Sequence, residues 1–148
     1  MKSIVFVDMD DVICDFSTAH RAARDQDPLV EFPQSVSGFF LALSPTLDAI
    51  ESVNWLRGRF ETYILTAPST RNPHRYSEKR IWTEDKFDYS FTKRLIISPN
   101  KGLLTGDDLI DDHAGGKGQD KFAGKLIQFG TTPFADWNSV VAFFDGVP

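Results

Sequence analysis

The sequence has 148 residues, 41% hydrophobic and 25% charged, which is typical of one globular domain. Its net charge is −5, so the chain does not have the excess of basic residues that binding to a nucleic acid polymer requires. It has no apolar run of about 18 residues and a single cysteine, Cys14, so we expect no membrane helix, no internal disulfide and a cytoplasmic protein.

The first predicted strand, residues 3–7, is apolar and rich in β-branched side chains, as strands buried in a parallel sheet are. Because Met1 and Lys2 lead directly into it, we expect no signal peptide. Three carboxylates follow this strand, those of Asp8, Asp10 and Asp11. Their mutual repulsion would be relieved by a divalent cation such as Mg²⁺. The alternative is a solvated acidic turn that caps the next helix.

Two helices separated by an irregular segment are predicted next. The first runs from Val12 to about Arg24. Residues 29–43 are irregular and aromatic, which indicates a small insertion rather than a second domain. Ser44 as N-cap and Pro45 in the first turn predict a second helix that ends near Gly58. Its inward face would carry Leu47, Ile50, Val53 and Leu56.

The remaining sequence alternates strands with helices. Strands are predicted at residues 60–65, 95–97, 109–110 and 125–129, and helices at residues 72–85 and after Asp136. This order favours an α/β fold, a three-layer Rossmann-like parallel sheet with a small cap insertion after the first strand. Ligands of such sheets bind at the carboxyl ends of the strands, where Asp8, Thr66 and Asp111-Asp112 fall.

These groups suit a phosphate monoester, whose charge must be neutralised before a nucleophile can attack. Mg²⁺ held by Asp8 and Asp112 would supply part of this, and Lys101 and Thr66 would hold phosphate oxygens. Asp8 would attack phosphorus, and Asp10 would protonate the leaving group and later activate water. Taken singly, Thr66 is an ordinary strand-end hydroxyl and Lys101 an ordinary surface lysine, so the hypothesis depends on their order along the chain.

Four short motifs resemble those of the haloacid dehalogenase-like phosphatases, and among them the pyrimidine 5'(3')-deoxyribonucleotidases. They are Asp8-Met9-Asp10-Asp11-Val12, Leu65-Thr66-Ala67-Pro68, Asn100-Lys101 and Leu109-Ile110-Asp111-Asp112. Cys14-Asp15-Phe16, Glu78-Lys79, Trp82 and Ala135-Asp136-Trp137 add to the resemblance. It covers most of the chain and is weakest over residues 24–39.

The resemblance implies a role for each matched residue. Asp8 would be the nucleophile and a Mg²⁺ ligand, and Asp10 the acid–base group that also binds the metal through its backbone carbonyl. Thr66, the amide of Ala67 and Lys101 would bind the phosphate. Asp112 would be the acidic metal ligand, with Asp111 supporting the site. Phe16 would line the base pocket, with Phe39 or Phe40 joining it; core packing is the alternative for these rings.

The chain departs from that family at three places. Asp11 stands where glycine is usual, and it would either bind the metal's water shell or cap the helix. A lysine near the phosphate is replaced by Thr70, and the neighbouring Arg71 is a candidate substitute. The chain would be a single domain over residues 1–148 with a reduced cap insertion at about 15–44, which leaves the site open or closed by a homodimer.

The leading prediction is therefore a Mg²⁺-dependent phosphomonoesterase of the cytoplasm that acts on (deoxy)ribonucleoside 5'-monophosphates. One alternative is the same chemistry on another small phosphate ester, such as a sugar phosphate. Others are a phosphoacceptor signalling module and a binding domain without activity. Asp10 argues against the signalling module, because an internal acid would turn the phosphoenzyme over.

Overall fold

The structure is a computed structural model that describes residues 1–147. The strands are β1 (Ile4–Val7), β2 (Glu61–Thr66), β3 (Leu95–Ile97), β4 (Asp108–Asp111) and β5 (Lys125–Gln128). The helices are α1 (Phe16–Gln26), α2 (Ala49–Arg59), α3 (His74–Lys86), α4 (Tyr89–Thr92) and α5 (Trp137–Asp145). Short 3-10 segments lie at Pro33–Ser35, Lys101–Leu103 and Gln119–Lys121. Among residues 1–147, no helix has the length and apolar surface needed to cross a bilayer.

All five strands are parallel and lie in the order β3-β2-β1-β4-β5, so β1 is central. Alternate strand residues point to opposite faces. One face packs against α2, α3 and α5, through a core that includes Val7, Ile64, Ile110, Val53, Trp82 and Val140. The other face is covered by loops and 3-10 segments, and its core is Phe6, Leu65, Leu109 and Phe122. The predicted three-layer α/β fold is confirmed.

The register of β1 sets the position of the acidic turn. Val7 is paired with Ile64 of β2 on one side and with Ile110 of β4 on the other. Because the strands are parallel, the residues after these positions emerge at one edge of the sheet. Asp8, the end of β2 and Asp111 therefore meet there, although Asp8 and Asp111 are distant in sequence.

The first helix begins at Phe16, so the prediction that it begins at Val12 was wrong. The backbone of Asp11 is left-handed, with φ of 63°. This conformation turns the chain, and the N–H groups of Ile13 and Cys14 donate to the carbonyl of Met9 at 2.9 and 3.1 Å. A tight turn thus occupies the place of the expected first helical turn. It buries Cys14 completely, as expected of a core cysteine.

The carboxylate of Asp11 caps the first turn of α1. It accepts hydrogen bonds from the backbone N–H of Ser17, at 2.8 Å, and from the Ser17 hydroxyl, at 2.5 Å. Asp15 is the N-cap residue itself and accepts from the N–H of Thr18 at 3.3 Å. Asp11 was expected either to bind the water shell of the metal or to cap the helix, and the hydrogen bonds observed are those of a helix cap.

The second helix begins at Ala49, so the prediction of Ser44 as its N-cap was wrong. The carbonyl of Ser44 instead accepts from the N–H of Asp15 at 2.8 Å, and Pro45 pairs with Cys14. This pairing closes the segment 15–44 at its base. Leu47 was expected to face the core, but it lies before the helix and is 85% exposed.

The segment 15–44 packs against α3 through hydrogen bonds at three points. The Glu78 carboxylate accepts from the N–H of Gly38 at 2.5 Å, the Trp82 indole donates to the Leu43 carbonyl at 2.9 Å, and the Asn72 amide donates to the Gln34 carbonyl at 3.1 Å. The buried face of α3 carries Arg75, Glu78, Lys79 and Trp82. The spacing of apolar residues in the sequence predicts Tyr76 and Ile81 on that face too, but they are 42% and 46% exposed, so this prediction was wrong.

Candidate active site

A cavity of about 190 Å³ opens at the carboxyl edge of the sheet. Six of the predicted site residues line it: Asp8, Asp10, Phe16, Ala67, Lys101 and Asp112. Asp11, His113, Lys117 and Gln119 complete the lining. The cavity is therefore formed by the segments after β1, β2, β3 and β4, together with the start of α1.

Three carboxylates converge at the floor of this cavity. Oxygen atoms of Asp8, Asp111 and Asp112 all lie within 4.8 Å of one another. Asp8 is 6% exposed and Asp111 is fully buried. The pairing of β1 with β4 brings them together, and carboxylates at such distances repel one another unless cations neutralise them.

The Asp111 carboxylate is fully occupied by protein donors. One oxygen accepts from the backbone N–H of His113 at 2.9 Å. The other accepts from Lys101 Nζ at 2.5 Å and from the Gln119 amide at 3.3 Å. By contrast, Oδ1 of Asp112 is buried and has no hydrogen-bond partner among the described residues. Asp111 thus holds the site together, whereas Asp112 keeps an unpaired acceptor.

Lys101 is the cation at the centre of the cluster. It is 1% exposed, and its Nζ lies 2.8 Å from Oδ1 of Asp8 in addition to its contact with Asp111. Burial lowers the pKa of Lys101, but the carboxylates of Asp8 and Asp111 outweigh burial and raise this pKa overall. The side chain is therefore held as an ammonium ion beside the carboxylate predicted to attack phosphorus.

One ammonium ion does not neutralise the cluster. Burial raises the pKa of Asp8 to about 7, Lys101 opposes this shift, and the carboxylates of Asp111 and Asp10 add to it. Burial also raises the pKa of Asp112 to about 6, and the nearby Asp111 adds to the rise. The protein without a metal is thus poised to take up protons or a cation here.

The donor set suits a hard divalent cation. All the converging ligands are carboxylate oxygens, and the buried, unpartnered oxygen of Asp112 is a ligand without another use. Asp8 and Asp112 fit direct metal ligands, whereas Asp111 fits the predicted supporting role because protein donors fill it. The members of this cluster lack nitrogen and sulfur ligands, which disfavours a site specific for zinc.

The carboxylate of Asp10 turns to the opposite side of the cavity, toward α3. Its Oδ2 lies 2.9 Å from Nη2 of Arg75 and 3.6 Å from Nζ of Lys79. Lys79 also donates to the Thr66 hydroxyl, and to the Ala67 carbonyl at 3.1 Å. Two cations of α3 therefore face the acid–base candidate, and one of them touches the predicted phosphate-binding turn.

The predicted substrate residues fall into two groups. Phe16 lines the cavity and is partly exposed. Phe40 and Arg71 do not line it. Phe40 is fully buried and packs edge-on against Trp82, with ring centroids 6.4 Å apart, and Arg71 is exposed with its guanidinium 5.9 Å from the Phe32 ring. Core packing accounts for Phe40, and the side chain of Arg71 lies beside the Phe32 ring instead of in the cavity.

From the sequence we did not predict that the side chains of Arg75 and Lys79 contact the site. They stand four residues apart on α3 and are 4% and 0% exposed. The signal was present in their spacing with the buried Trp82, which places all three on one helical face. Lysine and arginine on a helix are usually solvated, so residue type alone predicts that both side chains are exposed.

A larger cavity, of about 600 Å³, lies at the amino-terminal end of the strands. Its arginines are already paired: Arg57 lies 2.9 Å from Asp88, and Arg94 lies 2.6 Å from Glu61. Asp88 is also the N-cap of α4, accepting from the N–H of Phe91 at 2.8 Å. The first contact links α2 to the start of α4, and the second links β2 to the residue before β3. Both are structural, and the lining of this cavity lacks the convergent carboxylates found at the other edge.

Comparison with known proteins identifies relatives of one kind. A protein of Vibrio phage KVP40 named "Putative 5'(3')-deoxyribonucleotidase" is 35% identical over 144 residues, which is 96% of this chain and 84% of that protein. The human "5'(3')-deoxyribonucleotidase, cytosolic type" is 36% identical over 87 residues, or 57% of this chain and 43% of that protein. Models of known protein families give no match.

A solved structure from Burkholderia xenovorans LB400, titled as a haloacid dehalogenase-like hydrolase, aligns over 76% of this chain and 73% of that chain. Its TM-score is 0.41 and its sequence identity 15%. The resemblance seen in the motifs of the sequence is confirmed by the phage relative, whose similarity extends over nearly the whole chain. The chain belongs to the 5'(3')-deoxyribonucleotidase family and is a phosphoric monoester hydrolase.

Proposed function

We propose that the protein is a Mg²⁺-dependent phosphomonoesterase that works through an aspartyl-phosphate and acts on deoxyribonucleoside monophosphates. The observation that carries the proposal is the convergence of Asp8, Asp111 and Asp112 within 4.8 Å, with Lys101 2.8 Å from Asp8. A nucleophile, an acidic metal site and a cation for phosphate are thereby within reach of one ligand.

Asp8, Asp112 and the backbone carbonyl of Asp10 would hold the metal. When bound, Mg²⁺ would neutralise charge on the phosphate and on the carboxylates beside it. The raised pKa values of Asp8 and Asp112 support this assignment, since burial disfavours their ionised forms until a cation is present.

The phosphate would be held from two sides. Lys101 approaches from the β4 side, and Lys79 approaches from the β2 side, where it contacts Thr66 and Ala67. Burial lowers the pKa of Lys79, with the Asp10 carboxylate opposing the shift. Lys101 and Lys79 would thereby place a nitrogen donor on each side of the phosphate.

In the first half-reaction a carboxylate oxygen of Asp8 attacks phosphorus. The new bond joins this oxygen to phosphorus while the bond to the ester oxygen breaks, and Asp10 gives a proton to the departing alkoxide. In the second half-reaction Asp10 takes a proton from water, whose oxygen attacks phosphorus. The Asp8–phosphorus bond breaks, which releases inorganic phosphate and restores both carboxyl groups.

The nucleotide part of the proposal comes from the relatives' names and from the cavity. Phe16 lines the cavity and offers an aromatic face on which a base could stack. We further propose that residues 15–44 form a reduced cap, since this segment carries Phe16 and packs over α3 through Glu78 and Trp82. The chain would then be a single domain with one catalytic site.

A screen of substrates tests the proposal. Nucleoside and deoxynucleoside monophosphates and sugar phosphates would be supplied with Mg²⁺, and released phosphate measured for the wild type, Asp8→Asn and the control Asp120→Asn, an exposed carboxylate on the third 3-10 segment. We expect the highest kcat/KM for deoxynucleotides, none in Asp8→Asn, and wild-type rates in the control. Preference for sugar phosphates would overturn the substrate, and activity in Asp8→Asn would overturn the nucleophile.

A further inference from the structure

Arg75 is a buried cation that binds the acid–base candidate directly. It lies on α3, is 4% exposed, and donates from Nη2 to Oδ2 of Asp10 at 2.9 Å. Asp10 itself lines the cavity, and its side chain is 30% exposed. One carboxylate oxygen is therefore fixed by Arg75 from behind, while the side chain still reaches the space a substrate would enter.

Two aromatic rings hold the guanidinium in place. Its central carbon lies 5.2 Å from the ring centroid of Phe16 and 5.3 Å from that of Phe40. Both rings belong to the segment 15–44, and such contacts favour an arginine over an uncharged side chain. Phe40, which does not reach the cavity, thus has a place in the site as a support for Arg75.

The hydrogen-bonding capacity of the Arg75 guanidinium is only partly used. Its Nε is buried and has no hydrogen-bond partner among the described residues. A buried donor without an acceptor destabilises a fold, and a buried ion pair is often replaced by apolar side chains without loss of stability. The unsatisfied Nε, together with the direct contact of Arg75 with a carboxylate that lines the cavity, indicates that this contact serves the site as well as the fold.

We infer that Arg75 is a positioning residue that orients the Asp10 carboxylate for proton transfer to the leaving group and from water. The inference rests on the proposed function. Proton transfer requires the carboxyl oxygen within hydrogen-bond reach of its target, and small misplacements of a catalytic group reduce rates strongly. Arg75 touches neither phosphate nor metal in this role, so its loss acts on kcat rather than on KM.

The test compares Arg75→Met and Arg75→Lys with Arg80→Met, a control that removes a half-exposed arginine from the same helix. We expect Arg75→Met to lower kcat by about 10- to 100-fold with KM within about twofold of wild type. Arg75→Lys should recover part of the loss, and Arg80→Met should match wild type. Because Arg75→Met leaves the Asp10 carboxylate without its partner at 2.9 Å, its melting temperature should fall, and kcat is therefore compared at a temperature where every variant is folded.

A double-mutant cycle with Asp10→Asn separates positioning from a general structural effect. If Arg75 acts through Asp10, Arg75→Met on the Asp10→Asn background should change kcat by less than about twofold. A full additional loss, unchanged kcat in Arg75→Met, or unfolding of both Arg75 variants would overturn the inference while leaving the proposed function intact. An inactive wild type would overturn the proposed function, and the inference with it.

Discussion

Replacing Lys101 by methionine gives the sharpest test of the electrostatics at the site. Methionine keeps most of the side-chain volume but removes the ammonium that lies 2.8 Å from Asp8 and 2.5 Å from Asp111. Both carboxylates are buried, so the substitution leaves two buried negative charges without their shared partner. Breaking a buried pair in this way destabilises proteins by about 3–5 kcal/mol, and we expect a loss of that size at pH 7.5 without metal.

The loss should depend on pH in a defined direction. The pKa of Asp8 in the folded protein is about 7, against an ordinary value of 3.8, so the folded state binds a proton that the unfolded state has released. The contribution of Asp8 to the stability of the metal-free protein therefore falls as pH rises from about 4 to 7. Without Lys101 this pKa rises further, so Lys101→Met should lose less stability at pH 5 than at pH 7.5.

Urea unfolding followed by circular dichroism measures the effect, at both pH values and with either EDTA or Mg²⁺. Lys121→Met, which removes an exposed lysine from the third 3-10 segment, is the matched control and should stay within about 0.5 kcal/mol of wild type. Mg²⁺ should restore part of the stability of Lys101→Met. An unchanged unfolding midpoint, or a greater loss at pH 5, would refute the arrangement of charges described above.

Three further predictions concern catalysis, metal binding and packing. Asp10→Asn should slow phosphate release by about 10²–10⁴-fold and let a phosphorylated protein accumulate; unchanged turnover would reassign the acid. EDTA should stop turnover and Mg²⁺ should restore it. Calorimetry should show that Mg²⁺ affinity rises with pH through the pKa values of Asp112 and Asp8, about 6 and about 7, by up to about tenfold per pH unit for each proton displaced. An affinity independent of pH would contradict Asp8 and Asp112 as ligands. Trp82→Phe should lower the free energy of unfolding by about 1–3 kcal/mol, because the Leu43 carbonyl loses its donor; an unchanged value would mean that water replaces the indole.

Local sequence predicted the features that depend on neighbouring residues. The apolar runs predicted every strand of the sheet to within a residue or two, and Asp136 caps α5 as expected, accepting from the N–H of Ser139 at 2.9 Å. The helix starts at Val12 and Ser44 failed, because the chain there makes backbone contacts with partners distant in sequence or turns through the left-handed conformation of Asp11. Such contacts leave no trace in local residue preferences.

The sequence alone determined that carboxylates follow the first and fourth strands, because strand ends and acidic turns are local properties. Only the tertiary structure decided that these carboxylates share one cavity, since the pairing of Val7 with Ile110 joins residues about a hundred positions apart. It also decided that Arg75 and Lys79 face Asp10. Which face of an amphipathic helix a cation occupies depends on what packs against that helix, and here the segment 15–44 and the sheet bury a face that carries charge.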